Sequence, residues 1–194
     1  MSQALFPGWR PEPEDRARLA TLASALRDAA PHDAPPLQPR RPDQWHATLC
    51  FIGYDMRERA TPALLAAFAD VAARIPPHRF QVERLAYWSG SGAVVALPRD
   101  CPPLQALCDA TRDAIRRCGT QPLQVTSQPH VTLAYLGKHL PPQPWIEAVD
   151  CGAIACRVDR FELLFNPGGR YEALGCWALT GGPLPPPPEQ GALL

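Results

Sequence analysis

The sequence has no surplus of charge of either sign: 19 basic side chains balance 19 acidic ones over 194 residues. A protein that grips long nucleic acid through its backbone needs a basic face. Balance therefore excludes broad charge-driven binding, but not a pocket for one phosphate. Runs of the 18 or so apolar residues that a membrane helix requires are missing too, so no membrane partner is expected. A cysteine framework is also lacking. The seven cysteines are odd in number and irregularly spaced, Cys151 and Cys156 stand too far apart for a zinc knuckle, and no second pair follows. The opening stretch MSQALFPGWRPEPEDR has no basic region followed by an apolar run, so no secretion signal is read there. The expectation is a reduced, cytoplasmic protein with cysteines used as small hydrophobes and with no metal or other cofactor.

What remains is ordinary globular material. Hydrophobic residues make up 46% of the chain, enough to build one domain or two small lobes sharing a core. The 25 prolines gather in loops and at the end of the chain. ALFPGW at 4–9 reads as a short first strand. Leu19, Leu22, Ala23, Leu26 and Ala29 recur at helical spacing and predict a half-buried helix over 14–29. A second helix is expected from Thr61, a good N-cap with Pro62 in the first turn, to Ile75. FQVERLAYW and AVVALP read as strands joined by SGSG, a hairpin signal. A third helix is expected from Pro103 to Cys118, stopped by Gly119. RVDRFELLF reads as one strand, turned by NPGG into RYEALGCWALTG. The fold class is therefore α+β, with a single domain over 1–181 and a disordered Pro-rich tail over 182–194.

Two stretches echo each other. QWHATLCFIG ends at Gly53 and QPHVTLAYLG ends at Gly137, each with His, Thr, Leu and a closing Gly in the same order. Strand residues i and i+2 share a face. His46 and Thr48 thus point one way, while Ala47, Leu49 and Phe51 point to the packed side. The same parity sets His130 and Thr132 against Val131, Leu133 and Tyr135. Brought together, the two strands would present two imidazoles and two hydroxyls. At neutral pH one imidazole can accept a proton while the other donates one. Each role is worth about 10²- to 10⁴-fold in rate. Threonine hydroxyls can hold non-bridging phosphate oxygens during in-line displacement. A lone strand histidine is more often structural, and a lone strand threonine is simply a good strand former. The repetition of the whole pattern favours chemistry. His32, His78 and His139 have no such context.

The paired signatures HATLCFIG and HVTLAYLG resemble those of the 2H phosphoesterase superfamily, and within it the RNA 2′,3′-cyclic phosphodiesterases, historically called 2′–5′ RNA ligases. The resemblance runs from about residue 4 to about 181. It implies a bilobal fold whose pseudo-equivalent lobes carry antiparallel sheets on either side of a central cleft. It implies metal-free hydrolysis of a 2′,3′-cyclic phosphate to a 2′-phosphomonoester, with His46 and His130 as the acid–base pair and Thr48 and Thr132 on the phosphate. The family's second motif commonly continues to an arginine near the phosphate, and here that position is Tyr135. Lys138, Tyr135 and Trp45 are candidate substrate contacts, although Lys138 also suits an exposed turn. Phe51 has the parity of the core.

The expected partners are RNA ends or small nucleotides carrying a cyclic phosphate. No protein partner is evident, and a monomer is expected. Another cyclic or 2′–5′ linked nucleotide would suit the same chemistry. A nucleotide-binding module with little turnover is the alternative from another class, although a binder has no need of two titrating imidazoles. A metal-dependent hydrolase fits poorly, because two histidines and two threonines make a weak ligand set.

Overall fold

The computed structural model describes residues 3–182. The tail expected at 182–194 lies, apart from its first residue, outside the described residues. The chain opens with strand β1 (Ala4–Trp9) and helix α1 (Pro13–Asp28). A short strand β2 (Gln38–Pro39) precedes the first histidine segment, which comprises β3 (Ala47–Thr48), β4 (Cys50–Phe51) and β5 (Gly53–Tyr54). Helix α2 (Pro62–Arg74) follows, then the hairpin β6 (His78–Trp88) and β7 (Ala93–Pro98), then helix α3 (Pro102–Arg117). After β8 (Gln124–Val125) comes the second histidine strand, β9 (Val131–Tyr135). A four-residue helix α4 (Pro144–Glu147) and strands β10 (Ala155–Val158), β11 (Arg160–Asn166) and β12 (Glu172–Ala178) complete the order.

Ten of these strands form one antiparallel sheet in the order β10-β6-β7-β9-β3-β1-β11-β12, with β2 also on β9 and β5 also on β1. Strands β10 and β11 lie near opposite ends of this path, yet only Asp159 separates them in the chain. Two peptide units span less than ~8 Å, so the sheet must curl back on itself. The result is two antiparallel halves, β12-β11-β1-β3 and β9-β7-β6-β10, joined in the middle at one register pair, Ala47 opposite Val131. The single strand read over RVDRFELLF is thus two strands with different partners, β10 on β6 and β11 on β1. The turn at Asp159 lets both Val158 and Phe161 enter the core, where neither is exposed.

The helices cover the outer faces. Leu19, Leu22 and Leu26 of α1 are buried, as the spacing predicts. So is Asp15, which accepts a hydrogen bond from Arg157 N at 2.9 Å and ties α1 to β10. Thr61 caps α2 by accepting from Leu64 N at 3.2 Å, a contact worth about 1 kcal/mol. Phe68 of α2 packs edge-on against Phe161 and Trp177. The hairpin turn needs Gly92, whose φ is +76° and where an added Cβ would come within 2.5 Å of Leu136 O. That turn sets the position of Trp88, which borders the site.

Two bulges change the reading by parity. The register along β1 runs from Gly8 opposite Thr48 to Leu5 opposite Gly53, so the histidine segment carries two extra residues. Leu49, Cys50 and Ile52 are all buried there, and Phe51 is only half-buried. The core assignment of Phe51 is therefore corrected. In β9 a second irregularity separates Thr132, opposite Val95, from Ala134, opposite Val94. It turns Tyr135 onto the side of Thr132, against the expected packed face. No helix among the described residues is long and apolar enough to cross a membrane.

Candidate active site

The middle of the sheet brings the two motifs side by side. Extending the Ala47–Val131 register by one residue each way sets His46 opposite Thr132 and Thr48 opposite His130. Both histidines and both threonines are partly exposed, while Ala47, Leu49, Val131 and Leu133 beneath them are buried. The i, i+2 parity thus holds across the core of each motif.

Each imidazole is fixed in the same way. His46 Nδ1 lies 2.8 Å from Gln44 O, and His130 Nδ1 lies 3.0 Å from Gln128 O. A carbonyl can only accept, so Nδ1 carries the hydrogen in both rings. In the neutral ring Nε2 is then left with its lone pair. Both bonds reach back two residues, and glutamine stands at both positions.

Aromatic rings hold each imidazole from the side. His46 lies between Phe6 and Tyr171, with both centroid distances 5.0 Å. His130 packs on Trp88 at 4.3 Å. From Phe6 the rings continue to Phe51 at 6.3 Å and from there to exposed Tyr54 at 5.0 Å. This burial disfavours the charged imidazolium. It lowers the pKa of His46 to about 4, with further lowering by the charges of Arg40, His130 and Arg10. His130 is also lowered, mainly by burial.

Sequence reasoning missed four of these neighbours. Phe6, Trp88, Tyr171 and Arg40 carry no motif, and each arrives through long-range strand pairing. Arg40 follows β2, and its backbone N–H donates to Leu133 O at 2.8 Å. Its Nη2 donates to the hydroxyl of Tyr171 at 2.7 Å, and its Nη1 lies 3.4 Å from the hydroxyl of Tyr135. A guanidinium therefore stands beside Tyr135 although the strand itself has none. Arg10, by contrast, is engaged by Glu162 at 2.5 Å.

The remaining candidates lie apart. Trp45 is only 2% exposed and lines a cavity of about 250 Å³ under α1 with Leu26, Leu133 and Ala134. It thus faces the packed side and does not border the histidine pair. Lys138 is exposed in the loop after β9, whose next residue bonds to the β6–β7 turn through His139 N and Ser89 O at 2.7 Å. Among the described residues, no group of three or more His, Cys, Asp or Glu side chains converges as a metal would require. All seven cysteines are free thiols.

A family model described as the 2′-5′ RNA ligase superfamily matches residues 11–170. Among solved structures, E. coli LigT complexed with 3′-AMP is similar over 93% of this chain and 99% of that one, with a TM-score of 0.67 and 24% identity. A protein from Thermus thermophilus is similar over 92% of this chain and 98% of its own, with a TM-score of 0.69 and 23% identity. Both likenesses are of fold: antiparallel curled sheets with a few helices. No curated protein matches the chain in sequence.

Proposed function

The chain belongs to the 2′-5′ RNA ligase superfamily of 2H phosphoesterases, and we propose that it hydrolyses 2′,3′-cyclic phosphate ends of RNA or nucleotides to 2′-phosphomonoesters without a metal. The membership is consistent with phosphodiester hydrolysis. The observation that carries the finer reading is the matched pair of imidazoles, each held through Nδ1 by a carbonyl two residues upstream, at 2.8 and 3.0 Å. Each leaves Nε2 for proton transfer.

In the reaction, water attacks phosphorus in line with the P–O3′ bond. One imidazole takes a proton from the attacking water through Nε2. The other, protonated, gives its proton to O3′ as that bond breaks. The new P–O bond and the released 3′-hydroxyl balance the step. Thr48 and Thr132 donate hydrogen bonds to the non-bridging oxygens, where charge concentrates in the transition state. Exposed Tyr54, edge-on to half-buried Phe51 at 5.0 Å, offers an aromatic face on which a nucleobase can stack. The formal net charge of zero suits an end-bound or small substrate.

The test is turnover of the four nucleoside 2′,3′-cyclic monophosphates, and of a short RNA ending in a cyclic phosphate, in EDTA with the product isomer identified. A 2′-phosphate product is expected. Chelator-sensitive turnover, a 3′-phosphate product, or tight nucleotide binding with no turnover would overturn the reading.

A further inference from the structure

Arg40 is the one charge beside His46 whose polar contacts are all neutral. Its Nη2 meets the Tyr171 hydroxyl at 2.7 Å, its Nη1 meets the Tyr135 hydroxyl at 3.4 Å, and its Nε points at Gln44 O at 3.5 Å. No carboxylate pairs with it among the described residues. The same Gln44 carbonyl holds His46 Nδ1 at 2.8 Å, and the ring of Tyr171 stands edge-on to His46 at 5.0 Å. Arg40 is thus locked to the imidazole through two separate bridges. A part-buried guanidinium without an anion is costly to keep. Its retention here makes sense if an anion completes it.

We propose that Arg40 is the charged phosphate ligand of this site, presented from the segment after β2 and held in place by Tyr171 and Tyr135. This rests on the phosphodiesterase reading above. Arg40 donates to phosphate oxygens on the His46 side, and the threonine hydroxyls donate to the remaining oxygens. Tyr171 is a positioning residue. Its oxygen accepts from Arg40, so its own proton is free to turn toward a phosphate oxygen.

The arrangement also couples binding to proton transfer. The charged and titratable groups that bear on His46 are Arg40, Arg10, His130 and Tyr171, and Arg10 is already paired with Glu162. A bound phosphate neutralises Arg40 and adds negative charge next to the ring. His46 then holds a proton more readily in the complex than in the free protein.

The experiment compares the full chain with Arg40→Ala, Arg40→Gln and the pair Arg40→Ala/Tyr135→Arg. Inorganic phosphate and adenosine 2′-monophosphate are titrated by calorimetry, His46 is titrated by NMR, and thermal unfolding checks the fold. Loss of one charge-assisted bond should weaken phosphate binding about ten- to a hundredfold in both single variants. The pKa of free His46 should rise in both. An arginine at 135 starts from the contact that Arg40 makes now, so the double variant should recover part of the affinity. Arg40→Gln places an amide nitrogen near the position from which Nε now meets Gln44 O, so it serves if Arg40→Ala does not fold. Wild-type-like phosphate affinity in a folded Arg40 variant, or an unmoved His46 titration, would overturn the proposal. If the wild type binds the nucleotide through Arg40 yet hydrolyses no cyclic phosphate, the Arg40 assignment stands and the phosphodiesterase reading falls.

Discussion

His130 packs against Trp88 with ring centroids 4.3 Å apart and planes at 65°. Trp88 ends β6, where it stands opposite Ala93 of β7, and Tyr135 of β9 stands opposite the same Ala93. The indole therefore reaches the second histidine across a whole strand. It both limits the imidazole's rotation and excludes water from one side of it.

Trp88→Ala should loosen His130 without unfolding the chain. We expect turnover to fall by roughly tenfold, since a misplaced acid–base group loses part of its 10²- to 10⁴-fold effect. The pKa of His130, now lowered by burial, should move back toward the ordinary value. An NMR titration that leaves it unmoved would show that Trp88 does not shield the ring.

His46→Ala and His130→Ala should each cut turnover by at least about a hundredfold. The double variant should be little worse than either, because the two act as a unit. Thermal unfolding at pH 8 should show both variants folded, with His46→Ala the more destabilised because that ring packs between Phe6 and Tyr171. Full activity in either folded variant contradicts the paired roles.

The pH–rate profile should be bell-shaped, with limbs that belong to the pair and not to either ring alone. Both histidines are lowered in the free protein, His46 to about 4. The alkaline limb of kcat/KM should therefore fall below the ordinary histidine value of about 6.5. Bound phosphate raises both rings, so the alkaline limb of kcat should lie at higher pH. Coincident limbs would mean that the substrate does not alter the pair.

Stability should fall on acidification. His46 titrates near 6.5 when unfolded and at about 4 when folded. Between those values the unfolded chain holds a proton that the native state does not, so unfolding gains as pH drops. His78 and His130, also lowered by burial, act in the same direction. The contribution of His46 is fully present above about pH 6.5 and is lost on the way down to about 4. Denaturant midpoints measured from pH 7.5 to 4 should decline less steeply in His46→Ala. An equal decline in both proteins would locate the acid sensitivity elsewhere.

Much of the molecule is legible in one dimension. The three long helices follow from apolar spacing and from Thr61 and the prolines at their starts, because helix geometry is local. The shared face of His46 with Thr48, and of His130 with Thr132, follows from the two-residue repeat of a strand. The repeated order of His, Thr, Leu and Gly marks both strands without knowledge of any contact. The Pro-rich segment after α1 reads only as a loop, and nothing local signals the short strand β2 within it.

The site's surroundings are decided only by tertiary structure. Phe51 and Tyr135 have core parity in the sequence, and a bulge beside each turns it toward the histidines. An extra residue reverses the side chains that follow until another offsets it, and nothing local announces it. Arg40, Phe6, Trp88 and Tyr171 reach the site through pairings between strands far apart in the chain. Register depends on how all the strands fit around one core at once. The two histidine motifs are therefore written in the sequence, whereas what stands beside them depends on the closing of the curled sheet.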